Sequence, residues 1–491
     1  MRHRSVGWTI LSVLALCIVL VGPSLAGATD KVLSTNFTVV NLGDGELNGT
    51  IVYYKETSGD TWGDEGGEEI NIPDFGGQAI FRQYYPASSP GNPNLDDGAG
   101  SVVITADKPM GAVVQIQARG QNPNSCGAYS GLSAGDQIWY VPLVLRNIHG
   151  GETNSQVIVQ NVGASPTDVD INLVDASGNP VYTKAISNLA AGASFYYDLE
   201  EESSSNVPNG YYGSAVVSAE SDRSIAVVAN LFSYHTLQTF NAFPPTAPAS
   251  SWGVPLFTSR LSNGLSTVLT VQNLSGSTIP AGGIVVDCYP DPACPVAAFS
   301  MTNASEVLHT ASTFFNPVTD HTIPEGFWGA AVVTTAPAAD VVVFVQMRVM
   351  VGWVTDEAGA YEAFSLDSTD TTVIVPLVAK RLGNGFATVV TIQNSGESTA
   401  TTTLTYTPSS EYSGSQTPLV FPDEEIEPRR SLMENHRLSG TRGLPDGWYG
   451  TLTVTSDQPI NAFVQLTRLS SIDPNTPDGD NLMTHSAFTQ P

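Results

Sequence analysis

The sequence predicts an all-β protein made of four tandem antiparallel β-sandwiches behind a cleaved signal peptide, and three observations carry that expectation. An alternating strand ending in Asn is written four times, with the Asn at 41, 161, 273 and 394, so that the steps are 120, 112 and 121 residues. Turn formers are plentiful, with 45 Gly and 32 Pro, while charged residues are only 13 % of the chain, a balance poor in helix formers. Short strand-like runs are punctuated by turn signals, and no helical period intervenes. Units of roughly 110–120 residues can each hold a core, and 41 % hydrophobic residues excludes a disordered composition.

At the N-terminus, Arg2 and Arg4 precede the apolar run Ile10–Val21 and the small residues Ala26, Gly27 and Ala28. This is the pattern of a secretion signal over residues 1–28, with the mature chain starting at Thr29; an uncleaved anchor is the competing reading, for which the run is short. Removal of Arg2 and Arg4 takes the net charge from −28 to −30. So acidic a surface repels nucleic acid and anionic membrane, and no membrane insertion is expected after cleavage.

Each repeat is built from recurring blocks. In the opening strand, the residues two and four before the final Asn are always apolar (Val39 and Phe37, Val159 and Val157, Val271 and Leu269, Ile392 and Val390). That period of two predicts a half-buried strand. The residue before the Asn is Gln in three copies, and the Asn-x-Gly that follows in most copies suits a tight turn. A shorter strand follows in mid-repeat, for example Gly192–Tyr197. The sharpest block is Pro-x-Gly-aromatic-aromatic-Gly, at 208–213, 324–329 and 445–450, each copy feeding a strand that turns into a more continuously apolar one. Closing segments such as Thr239–Phe243 and Ala360–Phe364 end each unit, and Val-Pro-Leu at 141, 254 and 375 opens the next. The boundaries read from these blocks are 29–139, 140–253, 254–374 and 375–491. The first unit lacks the Val-Pro-Leu portion. It either has a shortened first strand or presents an edge completed by another chain through strand addition.

Candidate sites are few. Cys288 and Cys294 flank a hairpin tip and are expected to form a small disulfide loop in an oxidising compartment. Cys126 is left over, either as a free thiol or as an intermolecular link. The acidic loops Asp60–Glu69 and Asp473–Asn481 present clustered carboxylates; Asp473, Asp478 and Asp480 are the calcium candidates, against a reading as solvated loops. The rings of the aromatic block, Tyr211, Tyr212, Phe327, Trp328, Trp448 and Tyr449, are either core and corner residues or a platform for sugars. The His residues are scattered without a ligand spacing, and His309 and His321 read as surface residues. Gly131–Gly135 spells Gly-x-Ser-x-Gly, but it lies between β units and not on a strand-to-helix turn.

The Val-Gln-Asn-x-Gly strand end, the Gly-x-Ser-Phe-Tyr-Tyr mid-strand and the Gly-Trp-Tyr-Gly-x-Leu-x-Val-x-Ser-Asp-Gln-Pro-Ile hairpin resemble the tandem Ig-like repeats of bacterial secreted and cell-surface proteins. The first two are similar to CARDB-type adhesion-related sandwiches. The resemblance covers nearly all of residues 29–491 and implies Ig-like domains with an extracellular, non-enzymatic, structural or adhesive role, without catalytic residues. Protein or glycan surfaces are the partners expected. The assembly expected is a rod or compact string of four domains, with carbohydrate binding by the aromatic loops as the alternative.

Overall fold

The computed structural model describes residues 13–19, 33–63, 67–74, 78–82, 95, 98–117, 124–148, 153–233, 236–351, 354–368, 370–476 and 478–489. Among them the chain is all-β, with eight sheets whose strands all pair antiparallel and a single 3-10 turn at Thr441–Gly443. No helix of the described residues is long and apolar enough to cross a membrane.

Every repeat contributes two sheets. In the second, the opening sheet runs in the order Ser194–Asp198, Asn154–Asn161, Ile225–Phe232, Leu237–Asn241. The facing sheet runs Pro180–Leu189, Thr167–Asp175, Tyr211–Ala219, Ile138–Arg146. The last of these holds Val-Pro-Leu. The same order recurs in the third and fourth repeats, where the Val-Pro-Leu strands are Ser251–Ser259 and Thr372–Lys380 and a short fifth strand, Phe364–Ser365 or Phe488–Thr489, is added beside them. These strands begin two or three residues before the boundaries read from Val-Pro-Leu, because Trp139 and Trp252, one step upstream, already lie in the sheet and are buried. In the first repeat the corresponding place beside Gly100–Ala106 is held by Val13–Val19, from the apolar run of the N-terminus.

The recurring Asn explains its own recurrence. Asn41, Asn161, Asn273 and Asn394 are fully buried. In each, Nδ2 donates to the carbonyl four residues on (Gly45, Ser165, Ser277, Ser398) and to a second carbonyl across the unit (Pro73, Leu189, Val307, Ile426), all at 2.6–2.9 Å. Oδ1 accepts from the backbone N–H two residues on, at 2.8–3.0 Å. One amide side chain thus ties the turn that follows the strand to the rest of the unit, and in three repeats it satisfies a buried carbonyl across it.

The opening strands depart from the half-buried expectation, since both of their faces are buried. One face fills its own sandwich. The other packs on the Val-Pro-Leu sheet of the preceding repeat. Gln160 Nε2 donates to Ser101 Oγ at 2.5 Å, and Gln393 Nε2 to the Ala331 carbonyl at 3.2 Å. Ser312 and Ser431 hydroxyls donate to the carbonyls of Pro142 and Pro255, the prolines of Val-Pro-Leu, at 2.8 and 2.7 Å. The first repeat carries Val40 in place of Gln and packs the same way on the fourth, where Val40, Leu42 and Ile374 cluster with Phe488. The four repeats therefore close into a ring and not a rod.

The four closing strands, Cys126–Ser130, Leu237–Asn241, Val354–Glu362 and Leu482–Ser486, meet in cyclic order at the centre. Phe240 packs on Phe344 of the third repeat at 4.0 Å between centroids, and Tyr361 stacks on Phe463 of the fourth at 4.4 Å and 16°. Such ring pairs add to the area term that holds the joints. Asp480 sits where all four repeats converge. Its carboxylate accepts the backbone N–H of Leu237, Ala358 and Leu482 at 3.1–3.2 Å, and its carbonyl accepts from Asn124 Nδ2 and the Cys126 thiol.

Candidate binding cleft between the second and third repeats

The aromatic block divides into two kinds of ring. Gly210, Gly326 and Gly447 hold positive φ (79, 79 and 89°), which the Pro-x-Gly turn requires. The turn then sends the first ring, Tyr211, Phe327 or Trp448, into the sandwich, where each is at most 5 % exposed. The Tyr211 hydroxyl donates to the Val174 carbonyl at 2.9 Å and is also 3.2 Å from that of Ser214. The second rings alternate outward: Tyr212 is 50 % exposed, and Trp328 and Tyr449 are half-buried. The six rings therefore form no common platform, and Tyr212 stands at a cavity.

That cavity, of about 530 Å³, opens between the second and third repeats. Its walls are Leu143 and Leu145 of the Val-Pro-Leu strand, Tyr212, Val268, and Phe314 of the third repeat's mid-strand. Tyr212 and Phe314 meet edge to face at 6.0 Å and 62°. At its back Arg348 Nη2 donates to Gln346 Oε1 at 3.3 Å, and Gln346 Nε2 donates to Gln238 Oε1 at 2.9 Å, an amide relay across the joint. Burial pulls the Arg348 guanidinium below its ordinary pKa, and among the described residues it has no ion-pair partner. Asp320 lies at the rim, where the N–H and hydroxyl of Thr322 hold its carboxylate below the usual range.

Strand register shows why a cavity exists here. Counting from the residue paired with the recurring Asn, the positions equivalent to Arg348 are Gln117, Phe232 and Thr467. All three are buried; Phe232 fills its joint with a ring, and Gln117 and Thr467 find partners. At Arg348 the joint is left open.

The remaining candidates are dispersed. Cys288 and Cys294 are not bridged, a correction to the expected disulfide: Cys288 turns into the core, and Cys294 Sγ instead accepts from the Trp328 N–H at 3.4 Å. Cys126 is 1 % exposed, which closes it to a second chain while the ring is intact. The structure does not gather the calcium candidates. Asp480 is fully buried on backbone donors, Asp473 is taken by Arg468 Nη2 at 3.0 Å and by Asn475, and Asp478 offers its backbone carbonyl to the Asn124 N–H. Among the described residues no group of three His, Cys, Asp or Glu could hold a metal ion, and part of the Asp60–Glu69 loop lies outside them.

Sequence reasoning missed two features. Arg146 and Lys380 end their Val-Pro-Leu strands and Arg260 directly follows its own, and each donates to carbonyls of the loop after the mid-strand, including Leu199, Ile323 and Leu438. A basic residue a few places after the same Pro in three repeats, in a chain with 19 Lys and Arg, was the available signal. In the fourth repeat, a buried polar chain links Thr388 Oγ1 to His436 Nδ1 (3.3 Å), His436 Nε2 to the Tyr406 hydroxyl (3.1 Å) and that hydroxyl to Glu434 (3.2 Å), which Arg442 pairs. Burial and the nearby Lys380 charge pull His436 down to about 4. The group resembles a catalytic constellation in composition, yet His436 and Tyr406 are fully buried, so it acts as a satisfied polar core.

No protein-family model matches the chain, and no curated protein matches it. Among solved structures, an Escherichia coli alpha-2-macroglobulin activated by porcine elastase aligns over 96 % of this chain and 44 % of that one, at 10 % identity and a TM-score of 0.12. The native conformation of E. coli alpha-2-macroglobulin aligns over 97 % and 28 %, at 8 % identity and a TM-score of 0.11. The chain spans less than half the length of these proteins, and likeness at this level carries no argument about fold or function.

Proposed function

We propose that the chain is a secreted, non-enzymatic binding scaffold of the cell surface or extracellular space, made of four Ig-like sandwich domains, with an adhesive or structural role. The observation that carries this reading is the use of the opening sheets: their outer faces are spent on the joints between repeats. What remains for partners is loops and the cleft between the second and third repeats. That cleft offers rings, amides and one guanidinium, the groups of a binding surface, and among its described lining residues no thiol or imidazole. Protein or glycan surfaces are the partners proposed.

The test is to express the full chain with its leader, sequence the N-terminus of the product, and co-sediment it with cell-envelope material while assaying soluble products. Export with a start at Thr29 and saturable co-sedimentation without turnover are expected. Retention inside the cell, or release of products, would sink the reading.

A second reading, assembly by strand addition, is favoured by one observation. Ser194 is the counterpart of Ser312 and Ser431, which bond to the Val-Pro-Leu sheet of the preceding repeat, but its buried hydroxyl has no partner among the described residues. The strand it would meet belongs to the first repeat, where Val13–Val19 takes the place of Val-Pro-Leu. If that run leaves with the leader, the edge of Gly100–Ala106 opens to an apolar strand of another chain. A chain starting at Thr29 should then gain thermal stability from a peptide of residues 11–21, whereas no shift at saturating peptide would remove this reading.

A further inference from the structure

The cleft combines three things. There is unfilled volume, about 530 Å³. Tyr212 and Phe314 offer two rings set edge to face, with Tyr212 open to solvent. There is also a half-buried guanidinium whose hydrogen bond among the described residues is to the Gln346 amide.

We propose that this cleft binds a small carboxylate-bearing molecule with one flat, weakly polar face, its carboxylate on Arg348 and its flat face against Tyr212. The proposal rests on the reading of the chain as a binding scaffold. Arg is the side chain suited to it, because its planar fork meets a carboxylate with two parallel hydrogen bonds, and a neutral ligand would leave it without an anion. Partial desolvation strengthens that pairing over one in open water. The chain's net charge of −28 opposes an approaching anion only at long range, where salt screens it. Asp320, the carboxylate in the lining, is already engaged by Thr322, and the nearby Arg260 is spent on the carbonyls of Pro317, Asp320 and Ile323. Gln238, Asn316 and Thr319 line the same cavity, so a sugar acid would find hydrogen-bond partners there, while an aromatic acid would use the two rings.

The experiment is calorimetric titration of the full-length protein with D-glucuronate and with benzoate, each beside its neutral counterpart, D-glucose and benzamide. At least one acid should bind with its neutral counterpart at least tenfold weaker. Glucuronate alone would identify a sugar acid, and benzoate alone an aromatic acid. Arg348→Phe copies the residue that fills the equivalent joint in the second repeat, so it should fold and close the cleft; binding should vanish without a fall in Tm. Arg348→Lys should weaken binding by about tenfold, through loss of the fork. Absence of binding by either acid at 10 mM ligand, a concentration on the order of that needed to see the weakest specific pockets, would overturn the proposal. Undiminished binding by Arg348→Phe would overturn it as well. Neither result touches the scaffold reading, whose test is export and envelope binding.

Discussion

At the residue scale, Asn394 shows how much one side chain can do. Its amide, itself buried, meets the buried Ile426 carbonyl and the part-buried Ser398 carbonyl and Gly396 N–H. Asn394→Ala should cost about 2 kcal/mol, since it leaves the buried Ile426 carbonyl without a partner and loosens the turn after it; urea unfolding of the variant checks this, and Asn394→Asp should not restore the two carbonyl contacts. The recurrence of this Asn was legible in the sequence because it acts within its own repeat. The Gln before it was equally visible, but its meaning was not, because Gln160 and Gln393 donate to residues of another repeat. Arg348 was hidden for the same reason: only the strand register sets it beside Phe232 and shows that a ring has been exchanged for a cation.

At the scale of the element, the closing strands carry groups that titrate in opposite senses. Burial pushes Glu362 up to about 7, against the Asn241 N–H that its carboxylate accepts. Its folded pKa thus lies above the ordinary 4.5, so its contribution to stability is complete below pH 4.5 and is lost as pH rises through 7. Glu362→Gln keeps the hydrogen bond and removes the charge; it should stabilise the protein by on the order of 3 kcal/mol at pH 8 and by nothing at pH 4. His485 behaves oppositely. Burial pulls it down to about 4 from 6.5, so its contribution is complete above pH 6.5 and is lost as pH falls through 4. Thermal unfolding from pH 4 to 8 should show His485→Gln flattening the acid side of the profile and Glu362→Gln the alkaline side. The alternation and turns of the strands were readable along the chain. The burial of both their faces was not, because a pattern of apolar, Thr and Gln residues marks an outward face in an isolated sheet and a joint in a stacked one.

For the molecule as a whole, the all-β architecture of sandwich-like sheets was foreseen, but a rod or compact string was expected where the structure shows a ring. Nothing in a repeat pattern states whether the last unit returns to the first; here Val40 and Leu42 against Ile374 and Phe488, with Asp480 at the hub, bring it back. Asp480→Ala leaves three converging N–H groups without an acceptor and should loosen all four joints together, seen as faster hydrogen exchange at Leu237 and Ala358 as well as at Leu482. Asp480→Asn, which retains an acceptor, should loosen them less.

Closure also changes what the peptide linkers are for. In a row of beads, cutting one link sets two pieces free; in a loop, each piece is still gripped at both ends. The connector after Phe243 exposes Pro245 and Thr246 at the surface, a place where a protease site can be inserted. Cut there, the two halves should still elute as one particle at native pH and separate only in denaturant. The continuity of the backbone would then matter for delivering the four sandwiches together at synthesis, and little for keeping them together afterwards.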